Sequence, residues 1–137
     1  MAYTTYDQYL QNEVLSADPL KLVNMLYRAA IEAVGAARRH LAAGEIRERS
    51  RKITKAWEIL HELRQSLDDE QGGQLSASLR ALYVYSQGRL IEGNAKQSDA
   101  PLAEVERILG TLHEGWSSLA GAPVEQSQTY QPVSCSY

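Results

Sequence analysis

Residues 99–119 read DAPLAEVERILGTLHEGWSSL, and their apolar positions Leu102, Val105, Leu109, Leu112, Trp116 and Leu119 alternate at spacings of three and four. That period draws one apolar stripe along an α-helix and does not suit a strand, whose side chains alternate every two residues. Asp99 stands in the N-cap position. Toward the N-terminus the same period recurs three times. Ile46, Ile53, Leu60 and Leu67 lie seven apart, with Ala56, Trp57 and Leu63 beside them, which predicts a helix from about Glu45 to Asp69 ended by Gly72-Gly73. Leu75, Leu79, Leu82, Tyr83, Ser86 and Leu90 form the seam of a third helix, closed by Gly93-Asn94. Asp18-Pro19 is an N-cap with proline at the first helical position, and from it Val23, Tyr27, Ala30, Val34, Ala37 and Leu41 run to Gly44. A second stripe on that helix, Leu22, Leu26, Ala29, Ala33 and Ala36, makes it apolar over more than one face. No run of alternating β-branched residues competes. Helices joined by short turns pack as antiparallel neighbours, so residues 18–119 are expected to form an all-α, antiparallel four-helix bundle.

A chain of 137 residues, with 44% hydrophobic and 23% charged side chains, suits one globular domain that buries roughly two-thirds of its unfolded surface. The longest apolar runs fall far short of the ~20 residues of a membrane-spanning helix. The N-terminal MAYTTYDQYLQN has neither the basic nor the apolar region of a signal peptide, so a cytoplasmic location is expected. The formal charge of -3 argues against a nucleic-acid partner. The local basic run of Arg47, Arg49, Arg51, Lys52 and Lys55 is interleaved with Glu45 and Glu48 and reads as a solvated face.

Two segments lie outside the bundle. Residues 120–137 hold two prolines, many Ser and Gln and one charge, Glu125, and are expected to be a disordered tail. In residues 1–17, Tyr3, Tyr6, Tyr9, Leu10, Val14 and Leu15 fall at helical spacing, which predicts a short N-terminal helical arm. The arm either docks permanently on its own bundle or acts as a detachable lid over a groove.

Catalytic chemistry has little foothold. Glu58 and His61 match the Glu-x-x-His spacing of bundle metal sites, yet the pattern occurs once, where a di-iron site needs two copies and further glutamates. This pair is all that supports the alternative of a metal- or ligand-binding bundle, and no cofactor is expected. The lone Cys135 has no flanking base or helix terminus to activate it.

Aromatic usage is more telling, with eight Tyr, two Trp and no Phe. Tyrosine joins an apolar ring to a wet hydroxyl and suits surfaces that are covered and uncovered in turn. Core packing accounts for Tyr27 and Tyr83, but Tyr85 is two residues from Tyr83 and must point elsewhere. A wide apolar first helix beside a tyrosine-bearing third helix suggests a groove for a partner helix. The same extra stripe suits a self-interface, so a homodimer stays open.

Tyr3-Thr4-Thr5-Tyr6, Ser16-Ala17-Asp18-Pro19, Leu22, Met25-Leu26-Tyr27, Lys55-Ala56, Ile59, Leu63, Leu67-Asp68, Gly72-Gly73, Leu79, Leu82-Tyr83, Tyr85, Arg89-Leu90, Asn94, Glu104-Val105 and Trp116 together resemble the flagellin-specific export chaperones of the FliS family. The resemblance spans residues 3 to 119 in order. It implies a helical bundle and a cytosolic, non-enzymatic chaperone that holds the C-terminal segment of flagellin, prevents its premature polymerisation and helps deliver it to the export gate. It also implies that the N-terminal tyrosines lie near the binding groove. The expected partner-contacting residues are Tyr3, Tyr6, Leu10, Leu22, Met25, Leu26, Tyr27, Leu79, Tyr83 and Tyr85. Arg28 and Val84 depart from a family pattern that is usually acidic there, Ser86 from methionine and Gly93 from alanine.

Overall fold

The computed structural model describes residues 19–120, which form four helices: α1 (Pro19–Ala42), α2 (Ile46–Gln65), α3 (Asp69–Lys96) and α4 (Asp99–Ala120). The expected arm and tail, with Tyr3, Tyr6, Leu10 and the Asp18 cap, lie outside the described residues. Each helix packs against its neighbours in sequence, and α1 also packs on α4, so the four close into a square with α1 and α3 on one diagonal. The all-α four-helix bundle expected from the periodicity is the fold observed.

Local chemistry sets the ends of the helices. Gly44, at φ 73°, takes the left-handed conformation after α1, and the amides of Gly44 and Glu45 bond back to the carbonyls of Leu41 (3.1 Å) and His40 (2.9 Å). That pair is a Schellman cap, which satisfies two of the orphan carbonyls at a helix end. α2 ends at Gln65, earlier than expected, because Asp68 turns the chain. Its Oδ1 accepts from the amides of Glu70 (3.1 Å) and Gln71 (3.2 Å) and thereby opens α3 one turn before the glycine pair. Gly72-Gly73 therefore does not end α2. It lies within the first turns of α3, where Gly73 (φ 53°, ψ -126°) breaks the helical path. Ser76 Oγ donates to the Asp68 carbonyl at 3.1 Å and bridges the break.

Gly93-Asn94 does not close α3 either. The helix continues to Lys96, and Gln97 takes the left-handed position at φ 51°. Gly93 serves packing instead, since a Cβ there would come within 2.8 Å of Leu102 on α4. Asp99 is the first residue of α4, and its carboxylate is occupied by a two-pronged contact from Arg38 at 2.8 and 2.9 Å.

The core holds Tyr27, Val34, Leu60, Tyr83, Leu90, Leu102, Val105 and Leu109, all essentially inaccessible to solvent. Three seam positions differ from expectation. Ile46 is 57% exposed at the start of α2, Leu75 is exposed beside the Gly73 break, and Leu67 lies beyond the end of α2, partly buried against the core. Arg49, expected in a solvated face, is buried, with its Nε donating to Asn94 Oδ1 at 2.8 Å. No helix among the described residues is long and apolar enough to cross a membrane.

Candidate partner-binding face

The inner side of α3 carries Leu79, Tyr83 and Leu90 into the core. Its outer side carries a second register, Ala77, Ala81, Val84, Gly88, Ile91 and Ala95, spaced four and three apart and exposed throughout. An exposed helical face is ordinarily charged or polar, so an uninterrupted apolar or small-residue stripe of nearly five turns is a candidate surface for a partner. Val84 and Ile91 are its large members, 47% and 57% exposed. At the C-terminal end, Ile91 and Ala95 face Ile53 and Trp57 of α2 across a hollow of about 430 Å³, rimmed by Thr54, Glu58 and Asn94. A hollow of that size accepts one or two large apolar side chains from a guest helix.

Polar contacts hold α3 on both flanks. Toward α4, the Tyr85 hydroxyl donates to the Glu104 carboxylate, 2.9 Å from each oxygen, and Arg89 Nε donates to Glu104 Oε1 at 2.6 Å. Arg89 also reaches Glu92 at 2.9 Å, and Lys96 reaches Glu92 at 3.2 Å. Hydrogen bonding from Arg89, and then from Tyr85, holds the Glu104 carboxyl below the usual range, while the same bond to Glu104 raises the Tyr85 phenol. Toward α2, the buried Gln87 donates to the carbonyl of Trp57 at 3.1 Å and accepts from Arg64 at 2.9 Å.

The expected contact residues separate by burial. Tyr85 is exposed, with its hydroxyl tied to Glu104 and nearly half its surface open. Leu22 and Leu26 are partly buried, whereas Met25, Tyr27, Leu79 and Tyr83 are buried. The Tyr27 and Tyr83 hydroxyls meet at 2.5 Å across the diagonal, and Trp116 Nε1 donates to Tyr27 Oη at 3.1 Å, joining α1, α3 and α4. Burial, reinforced by Tyr83, raises the Tyr27 phenol far above its ordinary value. Helices α1 and α3 thus meet only through the core and leave no surface groove between them. Open grooves lie instead on either side of α2 and between α1 and α4. Val84, Ile91, Ile53 and Trp57 were not singled out as contact residues, although the second register of α3 is legible once the inner seam is assigned.

The alternative metal pair gains no ligand set. His61 stacks on Trp57 with ring centroids 5.5 Å apart and planes at 7°, its Nε2 lies 3.2 Å from Gln65 Nε2, and Glu58 is exposed. Among the described residues no group of three or more His, Cys, Asp or Glu could hold a metal ion.

The family described as Flagellar protein FliS matches residues 2–123. The chain is 32% identical over 111 residues to the Flagellar secretion chaperone FliSB of Pseudomonas aeruginosa, covering 81% of this chain and 88% of the relative. It is 31% identical over 112 residues to the Flagellar secretion chaperone FliS of Salmonella typhimurium, covering 81% and 83%. The Bacillus subtilis protein of the same name is 32% identical over 111 residues, covering 81% and 82%. A profile match across nearly the whole chain, and relatives aligned over most of their own length, establish that the chain belongs to the FliS family of flagellar secretion chaperones.

Proposed function

We propose that this protein binds the C-terminal segment of flagellin in the cytoplasm, keeps it from polymerising prematurely and assists its delivery to the flagellar export apparatus, without catalysing a reaction. The observation that carries this is the unpartnered outer stripe of α3, with Val84 and Ile91 exposed, in a chain of the FliS family. A segment that is unstructured when free gains its helix and its burial together, which removes the same apolar side chains from any self-assembly they would otherwise drive. Such coupled folding has to cover well over ~1,000 Å² in total to offset the ordering of the guest. The α3 stripe, running on into the Ile53–Trp57 hollow, offers a continuous track for one helix, and Tyr85 on its rim adds an aromatic side chain of the kind that dominates interfaces.

Titration calorimetry of the full chain with a peptide of flagellin's C-terminal segment tests this. Saturable binding with a negative heat-capacity change, and a rise in peptide helicity on mixing, is the expected result. An intact, folded chain that shows no heat and no helicity change with that peptide would overturn it.

A further inference from the structure

We propose that residues 121–137 fold back over the outer face of α3 in the free chain, seating Tyr130 in the hollow between α2 and α3, and that cargo has to displace them. The proposal rests on the reading of the α3 face as the cargo surface. The family match ends at residue 123, so most of this segment lies beyond it.

The bundle sets the reach. Gly93 lies against Leu102 and Arg89 reaches Glu104, an antiparallel register that carries Ala120 back beside the first turns of α3. The chain therefore leaves the bundle next to the near end of the exposed stripe. From there Ile91 is ~24 Å along the helix axis and about one helix width, ~10 Å, to the side. Tyr130 stands ten residues beyond Ala120. An extended or polyproline-like chain of that length spans ~31–33 Å, enough to bring its ring to the hollow. Residues 1–18 leave instead from α1, diagonal to α3, and must cross α2 or α4 to arrive at the same place.

The hollow suits an apolar ring with a polar edge. Trp57, Ile91 and Ala95 give it apolar walls, and Glu58 on its rim takes part in none of the ion pairs among the described residues. Tyrosine meets both needs. The bundle already contains that pairing in Tyr85, whose hydroxyl donates to the Glu104 carboxylate. A guest that brought a carboxylate to the rim would be repelled by Glu58, and the only charged side chain of residues 121–137, Glu125, stands five residues before Tyr130. Pro132-Val133 adds apolar area, and proline lowers the entropy lost when the segment is ordered. A weak seat suffices. A tether this short holds the segment at a local concentration in the millimolar range, so a millimolar intrinsic affinity keeps the hollow filled about half the time. Cargo then binds with its affinity lowered in proportion to the unfilled fraction.

Cys135 is the only cysteine, so a nitroxide attached to it in the isotope-labelled full chain reports where the segment sits. The amides of Trp57, Ile91, Asn94 and Ala95 are expected to broaden most. The double variant Tyr130→Ser, Val133→Ser, altered outside the bundle, should lose about half or more of that broadening and bind the flagellin C-terminal peptide about two- to fivefold more tightly. Broadening centred on the first turns of α3 and fading toward Ile91 would overturn the proposal, as would a pattern that the double variant leaves unchanged. So would broadening of an isotope-labelled Cys135→Ser chain by a separate spin-labelled one, which places the segment on a second copy. Shifts at Trp57 and Ile91 that follow Tyr3→Ser, Tyr6→Ser and not the double variant would give the hollow to residues 1–18 and overturn it too. The two readings fail separately: a peptide that binds parent and double variant equally overturns the displacement, whereas a peptide that binds neither strikes the cargo reading and leaves the Cys135 pattern to decide the seat.

Discussion

Ile91→Ala separates the partner face from the core in one measurement. The substitution removes three carbons, worth ~2.4 kcal/mol at ~0.8 kcal/mol each if a guest buries them entirely. Because Ile91 is 57% exposed in the free chain, only about that share remains for a guest to cover, so binding should weaken by ~1.4 kcal/mol, about tenfold in Kd. The covered share belongs to the bundle, where its loss should lower unfolding free energy by no more than ~1 kcal/mol. Calorimetry with the flagellin C-terminal peptide gives the first quantity, and urea unfolding followed by circular dichroism gives the second. Thr111→Ala, an exposed position on α4, should change neither. An unchanged Kd in Ile91→Ala would refute the assignment of the α3 stripe to the cargo. A stability loss of ~3 kcal/mol or more would show that Ile91 belongs to the core.

Three further outcomes follow from the geometry. Tyr27→Phe should destabilise the bundle by ~1–2 kcal/mol in urea melts, because the buried network loses the oxygen that joins Tyr83 to Trp116. Its counterpart is alkaline: Tyr27 ionises more readily unfolded than folded, so its contribution is present below about pH 10 and lost as the pH rises beyond it, and Tyr27→Phe should fall less steeply there than the parent chain. Asp68→Ala should cost ~1 kcal/mol of thermal or urea stability, since the amides of Glu70 and Gln71 lose their cap. Arg38 holds the Asp99 carboxyl below its ordinary range, so that contact stabilises above about pH 4 and fades as the pH falls; melting temperatures of the parent and Arg38→Gln should differ near neutrality and converge in acid.

The sequence yielded the fold where one periodicity dominated and misled where a residue had two uses. In α4 every third or fourth residue is apolar, and Leu102, Val105, Leu109 and Trp116 are all buried as that spacing demands. In α3 the apolar residues occupy two registers, so no single face stands out from the sequence and the outer stripe is visible only after Tyr83 and Leu90 are fixed in the core. Glycine was ambiguous for a related reason. Gly44 ends a helix through its positive φ, Gly73 breaks one from within, and Gly93 stays helical because its missing Cβ makes room for Leu102. The absence of a side chain serves all three, and only the neighbouring helix distinguishes them. Arg49 was misplaced by its charge. It takes an inward position near the start of α2 because Asn94 and Gln97, distant in sequence, supply oxygens that accept from its guanidinium.

If the outer stripe of α3 is the binding face proposed above, the two registers of α3 also explain how it survives in a free chain. A helix with an apolar register on its outer as well as its inner side, left at a corner of a bundle, invites aggregation. Here four of the six outer residues are Ala or Gly, which present little apolar area each, so the exposed burden falls on Val84 and Ile91. Those small residues give a guest backbone a close approach while giving a second exposed strand or helix little to seize on its own. Holding α3 in place is left to directional contacts at its flanks, Tyr85 and Arg89 to Glu104 on one side and Gln87 to the Trp57 carbonyl on the other. Such bonds fix the helix without covering its outer face. The stripe is thus kept both rigid and open, the condition under which a guest that must itself be ordered meets a surface already organised to receive it.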